Sequence, residues 1–271
     1  MFQICKPPCD QDLILSSHRN SVEGLFRSLD GGICASTRLD LLLLPSPSPT
    51  CLLAASSSLC TLLALFLTVL PSRCLKTSMD EDFAGKQFSR YLLSSILGTG
   101  SAGSVYKGVD VTREDSRTFA IKCIAKSHST RRLRQQVAEI VNHNAVTWCP
   151  HVMMLCDFFE ENGHFFLVLP LCEMDMFRAI WKEKVYWRND GLIKKAFVEL
   201  LDGVLAFHQK GVFHRDLKPE NVMCNMGGLR IVIGEFGLST NRRLCRDGGC
   251  GTVSYMSPGQ SLVTTYTVIT N

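Results

Sequence analysis

The sequence predicts an α+β fold, with strands in the middle of the chain and a long helix after them. Apolar stretches flank the glycine-rich run 98–105 on both sides, which is the pattern strand, turn, strand. The short apolar segment 119–124 predicts another strand, and 131–146 has helical character. Apolar residues recur at helical spacing along 192–209, which predicts the main helix.

The main helix is expected to bury one apolar face. Residues at helical spacing on one face indicate a core position rather than a cofactor site. The positions predicted to lie in the core are Ile193, Ala196, Phe197, Leu200, Leu201, Val204, Leu205 and Phe207.

The run 214–221 carries the strongest chemical signal in the chain. It reads His-Arg-Asp-Leu-Lys-Pro-Glu-Asn and matches the motif H-R-D-L-x-x-x-N at every defined position. Phosphoryl transfer needs a carboxylate that accepts the proton of the substrate hydroxyl, and a ligand for a magnesium ion. Asp216 and Asn221 are spaced for these two tasks.

The glycine-rich run fits the pattern G-x-G-x-x-G-x-V. Because a strand rather than a helix follows it, the context favours a lid over phosphates and disfavours a dinucleotide-binding fingerprint. Glycines let backbone amides approach the phosphates with no side chain in the way. The candidate nucleotide contacts in this run are Gly98, Thr99, Gly100, Ser101, Gly103 and Val105.

A single lysine lies in the next predicted strand. An isolated strand lysine is usually a solvated charge, but Lys122 follows the glycine-rich lid at a spacing that fits a contact with the α- and β-phosphates. Its expected partner is a glutamate on the following helix. Glu139 is the acid within 131–146, with Val137 and Ile140 beside it.

With these motifs in this order, the chain resembles the eukaryotic protein-kinase superfamily over about residues 88–258. The run 214–221 corresponds to the catalytic loop of that family, and Lys218 within it is typical of the Ser/Thr type. Segments 119–126, 185–190 and 214–225 resemble a fungal group of Ser/Thr kinases linked to nutrient and meiotic control.

The resemblance implies a two-lobed, protein-kinase-like fold. An antiparallel sheet with one helix over 91–169 would form the first lobe, and a mainly helical lobe would begin at 175. The domain is expected to span 88–259 and to lack its last helices, with a tail at 260–271. The missing helices would leave apolar faces of the preceding helices uncovered.

The same resemblance implies ATP and Mg²⁺ as cofactors and a protein substrate with Ser or Thr. The implied catalytic residues are Lys122, Glu139, Asp216 and Lys218, and the implied metal ligands are Asn221 and Glu235. The remaining implied nucleotide contacts are Ala120, the carbonyl of Pro170, the N–H of Cys172, Asp175 at the ribose, and Met223.

Two positions depart from the family pattern. Glu235 stands where the family has the Asp of Asp-Phe-Gly, and its extra methylene works against the strict octahedral geometry of Mg²⁺. A displacement of about 1 Å can cost on the order of a hundredfold in rate. Gly259 replaces a glutamate that ends the activation segment. The leading hypothesis is a Ser/Thr protein kinase, and the alternatives are a nucleotide-binding pseudokinase scaffold and a non-functional kinase fragment.

The activation segment 235–259 has no hydroxyl at the position that the family often phosphorylates. Gly248 stands where the family often carries a phosphorylated residue, so phosphorylation at that position is excluded. Thr252 matches the residue that supports the catalytic Asp and Lys.

Residues 1–78 differ in composition from the rest. The uncharged stretch 51–70 is long enough to cross a bilayer, with Arg73 after it. The alternative, which Met79 and the Pro/Ser-rich composition favour, is a poorly ordered or spurious extension outside the kinase fold.

Bulk properties add two expectations. The 13 cysteines are irregularly spaced without a C-x-x-C pair, which favours reduced thiols and a cytoplasmic or nuclear location, the alternative being a membrane anchor with a cytosolic kinase domain. A net charge of +4 is modest, and the arginines within 131–134 are typical of a solvated helix face, so no nucleic-acid partner is expected.

Overall fold

The computed structural model describes residues 82–100, 103–115, 117–245, 250–256 and 266–267. The predicted extension 1–78, its segment 51–70, and Ser101, Gly248 and Gly259 lie outside the described residues. Within the described residues, no helix combines the length and the apolarity that crossing a membrane requires.

A six-stranded antiparallel sheet forms the N-terminal lobe, as predicted. In chain order its strands are β1 (Gln87–Phe88), β2 (Tyr91–Gly100), β3 (Gly103–Asp110), β4 (Thr118–Ala125), β5 (Asp157–Glu161) and β6 (His164–Pro170), with helix α1 (Thr130–Val146) between β4 and β5. The spatial order is β1-β2-β3-β4-β6-β5. The pairing of β2 with β3 shifts register twice ahead of the glycine-rich turn.

The two faces of the sheet bury different side chains because successive residues of a strand point to opposite sides. In β4, Phe119, Ile121 and Cys123 belong to an aromatic core on one face. Ile124 packs with Ile140 of α1 on the other. Lys122 shares the face of Ile124, so this alternation places the lysine beneath α1 and toward the cleft.

The hydrophobic core of the first lobe begins before residue 88, where the domain is predicted to start. Phe83 is only 5% exposed. Its ring lies 4.9 Å from that of Phe88 and 5.0 Å from that of His164, and its backbone N–H donates to the Tyr106 hydroxyl. Burying one such side chain contributes about 1.5–3 kcal/mol, so this segment is part of the folded lobe.

The second lobe combines helices with a small sheet. Its helices are α2 (Met176–Trp181) and α3 (Asp190–Gln209), and its three-stranded sheet consists of β7 (Met174–Asp175), β8 (Val222–Asn225) and β9 (Arg230–Ile233). Short 3₁₀ turns occupy Pro219–Asn221 and Val253–Tyr255, and β10 (Leu244–Cys245) pairs with β11 (Tyr266–Thr267). The prediction that the chain is helical from 175 onward is therefore wrong for β8 and β9.

The β8–β9 hairpin forms because its turn accepts left-handed backbone. Met226, Gly227 and Gly228 have φ of 52°, 59° and 85°. A Cβ at Gly228 would lie 2.6 Å from a methyl of Val185, so glycine is also required by packing there. The alternating residues Val222 and Cys224 are buried against α2 and α3.

Helix α3 buries a narrower face than predicted. The Asn189 side chain caps its first turn by accepting from Leu192 N–H, and Ala196, Gly203 and Phe207 are buried. Leu201 and Leu205 are each 52% exposed, so their assignment to the core is wrong. They lie one turn apart on α3 and belong to neither of the buried clusters that α3 helps to form.

Candidate active site

A buried ion pair joins the sheet to helix α1 at the back of the cleft. Lys122 Nζ lies 2.6 Å from Glu139 Oε1, and the two side chains are 7% and 6% exposed. Glu139 reaches the lysine because α1 packs Val137 and Ile140 against the same face of the sheet. The pairing predicted from the sequence is present, and it fixes the position of the lysine relative to the lid.

The same lysine contacts a second carboxylate, from the segment after β9. Glu235 Oε1 also lies 2.6 Å from Lys122 Nζ. Glu235 has a left-handed backbone with φ of 59°, and its side chain is 40% exposed. A Cβ at Gly237 would lie 2.9 Å from Glu235 Oε1, so the absence of a side chain at Gly237 makes room for the longer acid.

The three charges shift one another's proton affinity. Burial acts to lower the pKa of Lys122, but the carboxylates of Glu139 and Glu235 outweigh it and raise that pKa. Burial raises the pKa of Glu139, which Lys122 opposes. Burial also acts to raise the pKa of Glu235, but the lysine ammonium outweighs it and lowers that pKa. Lys122 is therefore a firmly charged ammonium held between two acids.

The catalytic loop presents its aspartate through a hydrogen-bonded network. Thr252 donates to Asp216 Oδ1 from both its backbone N–H, at 2.8 Å, and its hydroxyl, at 2.7 Å. Lys218 Nζ donates to Thr252 Oγ1 at 2.8 Å and lies 3.2 Å from Asp216 Oδ2. The support that the sequence predicted from Thr252 is thus present, and it orients the carboxylate.

Asp216 is held ionised. Burial acts to raise its pKa, but the hydrogen bond from Thr252 and the charge of Lys218 outweigh it and lower that pKa. An ionised carboxylate whose side chain keeps 11% exposure can accept a hydrogen bond from a substrate hydroxyl.

Oxygen donors near the loop suit Mg²⁺. Asn221 Nδ2 donates to the Asp216 carbonyl at 2.8 Å and to Asp216 Oδ2 at 3.0 Å, which leaves its amide oxygen as an acceptor. Glu235 supplies carboxylate oxygens. The described residues contain no group of three or more His, Cys, Asp or Glu side chains placed for a metal. Mg²⁺ in phosphoryl-transfer sites needs only one or two carboxylates together with phosphate oxygens, so Asn221 and Glu235 fit it.

The glycine-rich run forms the β2–β3 hairpin, as expected for a lid. Gly98 pairs with Val105, Thr99 with Ser104, and Gly100 with Gly103. Gly103 has φ of 126°, and a Cβ there would lie 2.1 Å from the Cys123 carbonyl oxygen. Only glycine fits this contact, which holds the lid on strand β4.

The other nucleotide-binding candidates lie on strands that border the cleft. Val105 pairs with Lys122 across β3 and β4, and Ala120 pairs with Leu169 across β4 and β6. Met223 pairs with Asp175 in the small sheet of the second lobe. Val105, Ala120 and Met223 are half-buried, so apolar surface remains on both lobes for a flat aromatic ring.

The segment between the lobes is anchored at its far end. β6 ends at Pro170, and Asn225 Nδ2 donates to Cys172 Sγ at 3.5 Å. The Glu173 carboxylate accepts from the backbone N–H of Met226 at 2.9 Å and of Gly227 at 3.0 Å. Asp175 caps α2 by accepting from Arg178 N–H at 2.7 Å, which fixes its position beside the cleft.

Sequence reasoning missed a second set of contacts between α1 and the segment after β9. His143 stacks on Phe236 with ring centroids 4.7 Å apart, and Asn142 Nδ2 donates to Ser239 Oγ at 3.1 Å. The available signal was helical spacing, because residues three and four positions after Glu139 lie on its face of the helix.

Comparison with known proteins gives the class of this chain. The family model described as "Protein kinase domain" matches residues 91–267, well over half of the chain. The chain belongs to the protein kinase domain family. The match extends past the predicted domain end at residue 259 into the segment predicted to be a tail.

Individual relatives point to the Ser/Thr branch. "Negative regulator of sexual conjugation and meiosis" of Schizosaccharomyces pombe is 36% identical over 166 residues, covering 60% of this chain and 35% of the relative. "CBL-interacting serine/threonine-protein kinase 17" of Arabidopsis thaliana is 33% identical over 181 residues, covering 64% and 41%. "Serine/threonine-protein kinase 33" of Mus musculus is 30% identical over 200 residues, covering 66% and 38%.

The first of these relatives confirms the predicted likeness to a fungal group linked to meiotic control. In each of the three comparisons, the matched region spans less than half the length of the relative.

Proposed function

We propose that this chain binds MgATP and transfers the γ-phosphoryl group to a Ser or Thr hydroxyl of a protein. The observation that carries the proposal is the joint presence of the Lys122–Glu139 ion pair in the first lobe and the Asp216–Lys218–Thr252 network in the second. Phosphoryl transfer relies mainly on positioning and electrostatic stabilisation, and these groups supply both.

Each group has a distinct task in this reaction. Asp216 accepts the hydrogen bond of the attacking hydroxyl and orients its oxygen. Lys218, fixed by Thr252, places a positive charge where negative charge develops on the transferring phosphoryl group. Lys122 contacts the α- and β-phosphates. Asn221 and Glu235 would hold Mg²⁺, which would neutralise charge on the phosphates.

The proposal is tested with the Lys122→Met variant of the full chain. We expect γ-phosphate transfer to a mixed Ser/Thr peptide substrate to fall by about a hundredfold or more, because one electrostatic contact to the transition state is lost. Transfer is measured with labelled ATP, and the binding of a fluorescent ADP analogue is measured in parallel.

Lys126→Met is the matched control, since Lys126 forms an ion pair with Glu160 on the surface of the same lobe. It should leave transfer unchanged. Equal transfer by the Lys122→Met variant and the parent chain would refute the role of Lys122.

A nucleotide-binding scaffold without transfer is the second candidate. The observation that favours it is the ion pair between Glu235 and Lys122, because it engages a carboxylate that would otherwise be available to a metal. The same assays separate the two functions, because a scaffold would bind the ADP analogue and transfer no phosphate to any peptide.

A further inference from the structure

We propose that Glu235 makes nucleotide binding conditional on the metal: its carboxylate holds the phosphate-binding lysine until Mg²⁺ draws it away. The inference rests on the proposed function, since it concerns the same nucleotide site. It names Glu235 as the residue that selects the metal–nucleotide complex over free nucleotide.

The lysine is doubly neutralised in this structure. Glu139 Oε1 and Glu235 Oε1 each lie 2.6 Å from Lys122 Nζ. An ammonium group has three N–H donors, so two of them are already engaged. Two carboxylates and one ammonium give the site a net negative charge where phosphate oxygens have to bind.

The two carboxylates differ in how easily they can leave. Glu139 is 6% exposed and is anchored on α1, whose apolar face is packed against the sheet. Glu235 is 40% exposed and lies at the cleft. A carboxylate in contact with solvent recovers its hydration when it leaves the lysine, whereas a buried one does not. Glu235 is therefore the partner that moves.

The contact of Glu235 with Lys122 depends on the length of the glutamate side chain. An aspartate at this position would withdraw its oxygens by about 1.5 Å, one carbon–carbon bond. With an unchanged backbone the 2.6 Å contact would lengthen beyond hydrogen-bond distance. Gly237 completes the arrangement, because any Cβ there would lie 2.9 Å from Glu235 Oε1.

Electrostatics then separates two forms of nucleotide. Free ADP brings phosphate charges against the Glu235 carboxylate, which stays on Lys122 because only water would replace the lysine as its partner. MgADP offers Glu235 a cation to bind, which releases Lys122 for the phosphates. The metal and the nucleotide should therefore bind with strong positive coupling.

The test is a titration of the full chain with a fluorescent ADP analogue, in EDTA and in excess MgCl₂. We expect Glu235→Gln, which keeps the shape and removes the charge, to raise the metal-free affinity by about tenfold or more. With Mg²⁺ present the gain should vanish or reverse. Glu235→Asp should also raise the metal-free affinity, while keeping the response to Mg²⁺.

Glu160→Gln is the matched control because it removes a carboxylate from the surface pair with Lys126. It should change neither affinity. If Glu235→Gln leaves the ratio of the Mg²⁺ affinity to the metal-free affinity as it is in the parent chain, the inference is overturned.

One outcome separates this inference from the proposed function. If no variant binds the analogue even with Mg²⁺, the proposed function fails. The ion pair is then judged by a double-mutant cycle of urea unfolding with Lys122→Met and Glu235→Gln. Non-additive changes in unfolding free energy would support the hold of Glu235 on Lys122, and additive ones would overturn it. Lys122→Ala takes the place of Lys122→Met if that variant does not fold.

Discussion

His143 shows how one buried side chain couples helix α1 to the catalytic cleft. Its Nε2 lies 2.7 Å from the Met153 carbonyl oxygen, and its ring stacks on Phe236. Burial lowers its pKa to about 4, while the Met153 carbonyl and the charge of Glu235 oppose that shift and Lys122 and His214 add to it. The imidazole is neutral in the folded protein at neutral pH, so its N–H is free to donate to Met153.

This histidine should make the protein acid-sensitive. A folded-state pKa of about 4 lies below the ordinary value of 6.5, so the unfolded chain takes up a proton first as the pH falls. The free energy of unfolding should therefore fall by roughly 3 kcal/mol in all as the pH drops from about 6.5 to about 4. His143→Gln, which keeps a donor for Met153 and does not titrate, should flatten that part of the profile.

Urea unfolding across this pH range measures the effect. His128→Gln is the control, since His128 is an exposed histidine. An acid-dependent loss of the same size in the His143→Gln variant and in the parent chain would show that His143 is not responsible.

At the level of single residues, the sequence predicted contacts that motif spacing encodes. Two predicted pairs are in contact: Lys122 with Glu139, and Thr252 with Asp216. The contact of Lys122 with Glu235 was not predictable, because it joins residues 113 positions apart and depends on a side-chain direction set by a left-handed backbone. No local pattern reports such a direction.

Among the elements, the segment at 250–256 depends on one glycine. Gly251 has φ of 111°, and a Cβ there would lie 2.6 Å from the Arg215 carbonyl oxygen. The next residue, Thr252, donates twice to Asp216. The close approach of the Gly251 and Arg215 backbones therefore holds the activation segment against the catalytic loop.

Gly251→Ala should displace the segment 250–256 from the catalytic loop. The clash is with backbone and cannot be relieved by a rotamer change, so we expect phosphate transfer to fall by about tenfold or more as Asp216 loses its donors. Gly211→Ala is the control for backbone strain alone, because Gly211 has φ of 70° with nothing within 4 Å of the added Cβ. It should cost about 1 kcal/mol of stability and leave transfer intact. Equal transfer losses in the two variants would contradict the argument.

Elements were predicted well where they are long and periodic. Strands β2, β3 and β4 and helices α1 and α3 lie within a few residues of their predicted bounds. The hairpin of β8 and β9 was missed because each strand has only 4 residues and lies in a region whose neighbours are helical. Leu201 and Leu205 were misplaced because periodicity identifies an apolar face but not the element that packs on it.

For the whole molecule, the folded unit reaches back to Phe83, which packs among Phe88, Tyr106 and Phe166. Residues 1–78 precede this core in the sequence and differ from it in composition. Removing them should leave that aromatic cluster intact.

A chain starting at Met79 should therefore match the full chain in melting temperature and in affinity for the fluorescent ADP analogue. Differential scanning fluorimetry and the titration measure both. A fall of several degrees on removal of 1–78 would show that the segment packs on the kinase fold, since about 1 kcal/mol shifts the midpoint by 2–4 °C at this size. If 51–70 crosses a bilayer, only the full chain will sediment with membranes after alkaline extraction.

The short connection between the lobes sets how the cleft can open. The ring of Pro170 fixes its φ near about −65°, and Glu173 is tied to the β8–β9 turn by two N–H groups. The backbone torsions that these two anchors leave least constrained are ψ of Pro170 and those of Leu171 and Cys172, so we expect rotation of one lobe against the other to act there. The N–H of Cys172 is also the proposed adenine contact. A bound nucleotide would therefore restrict the same backbone torsions that have to change before the nucleotide can leave.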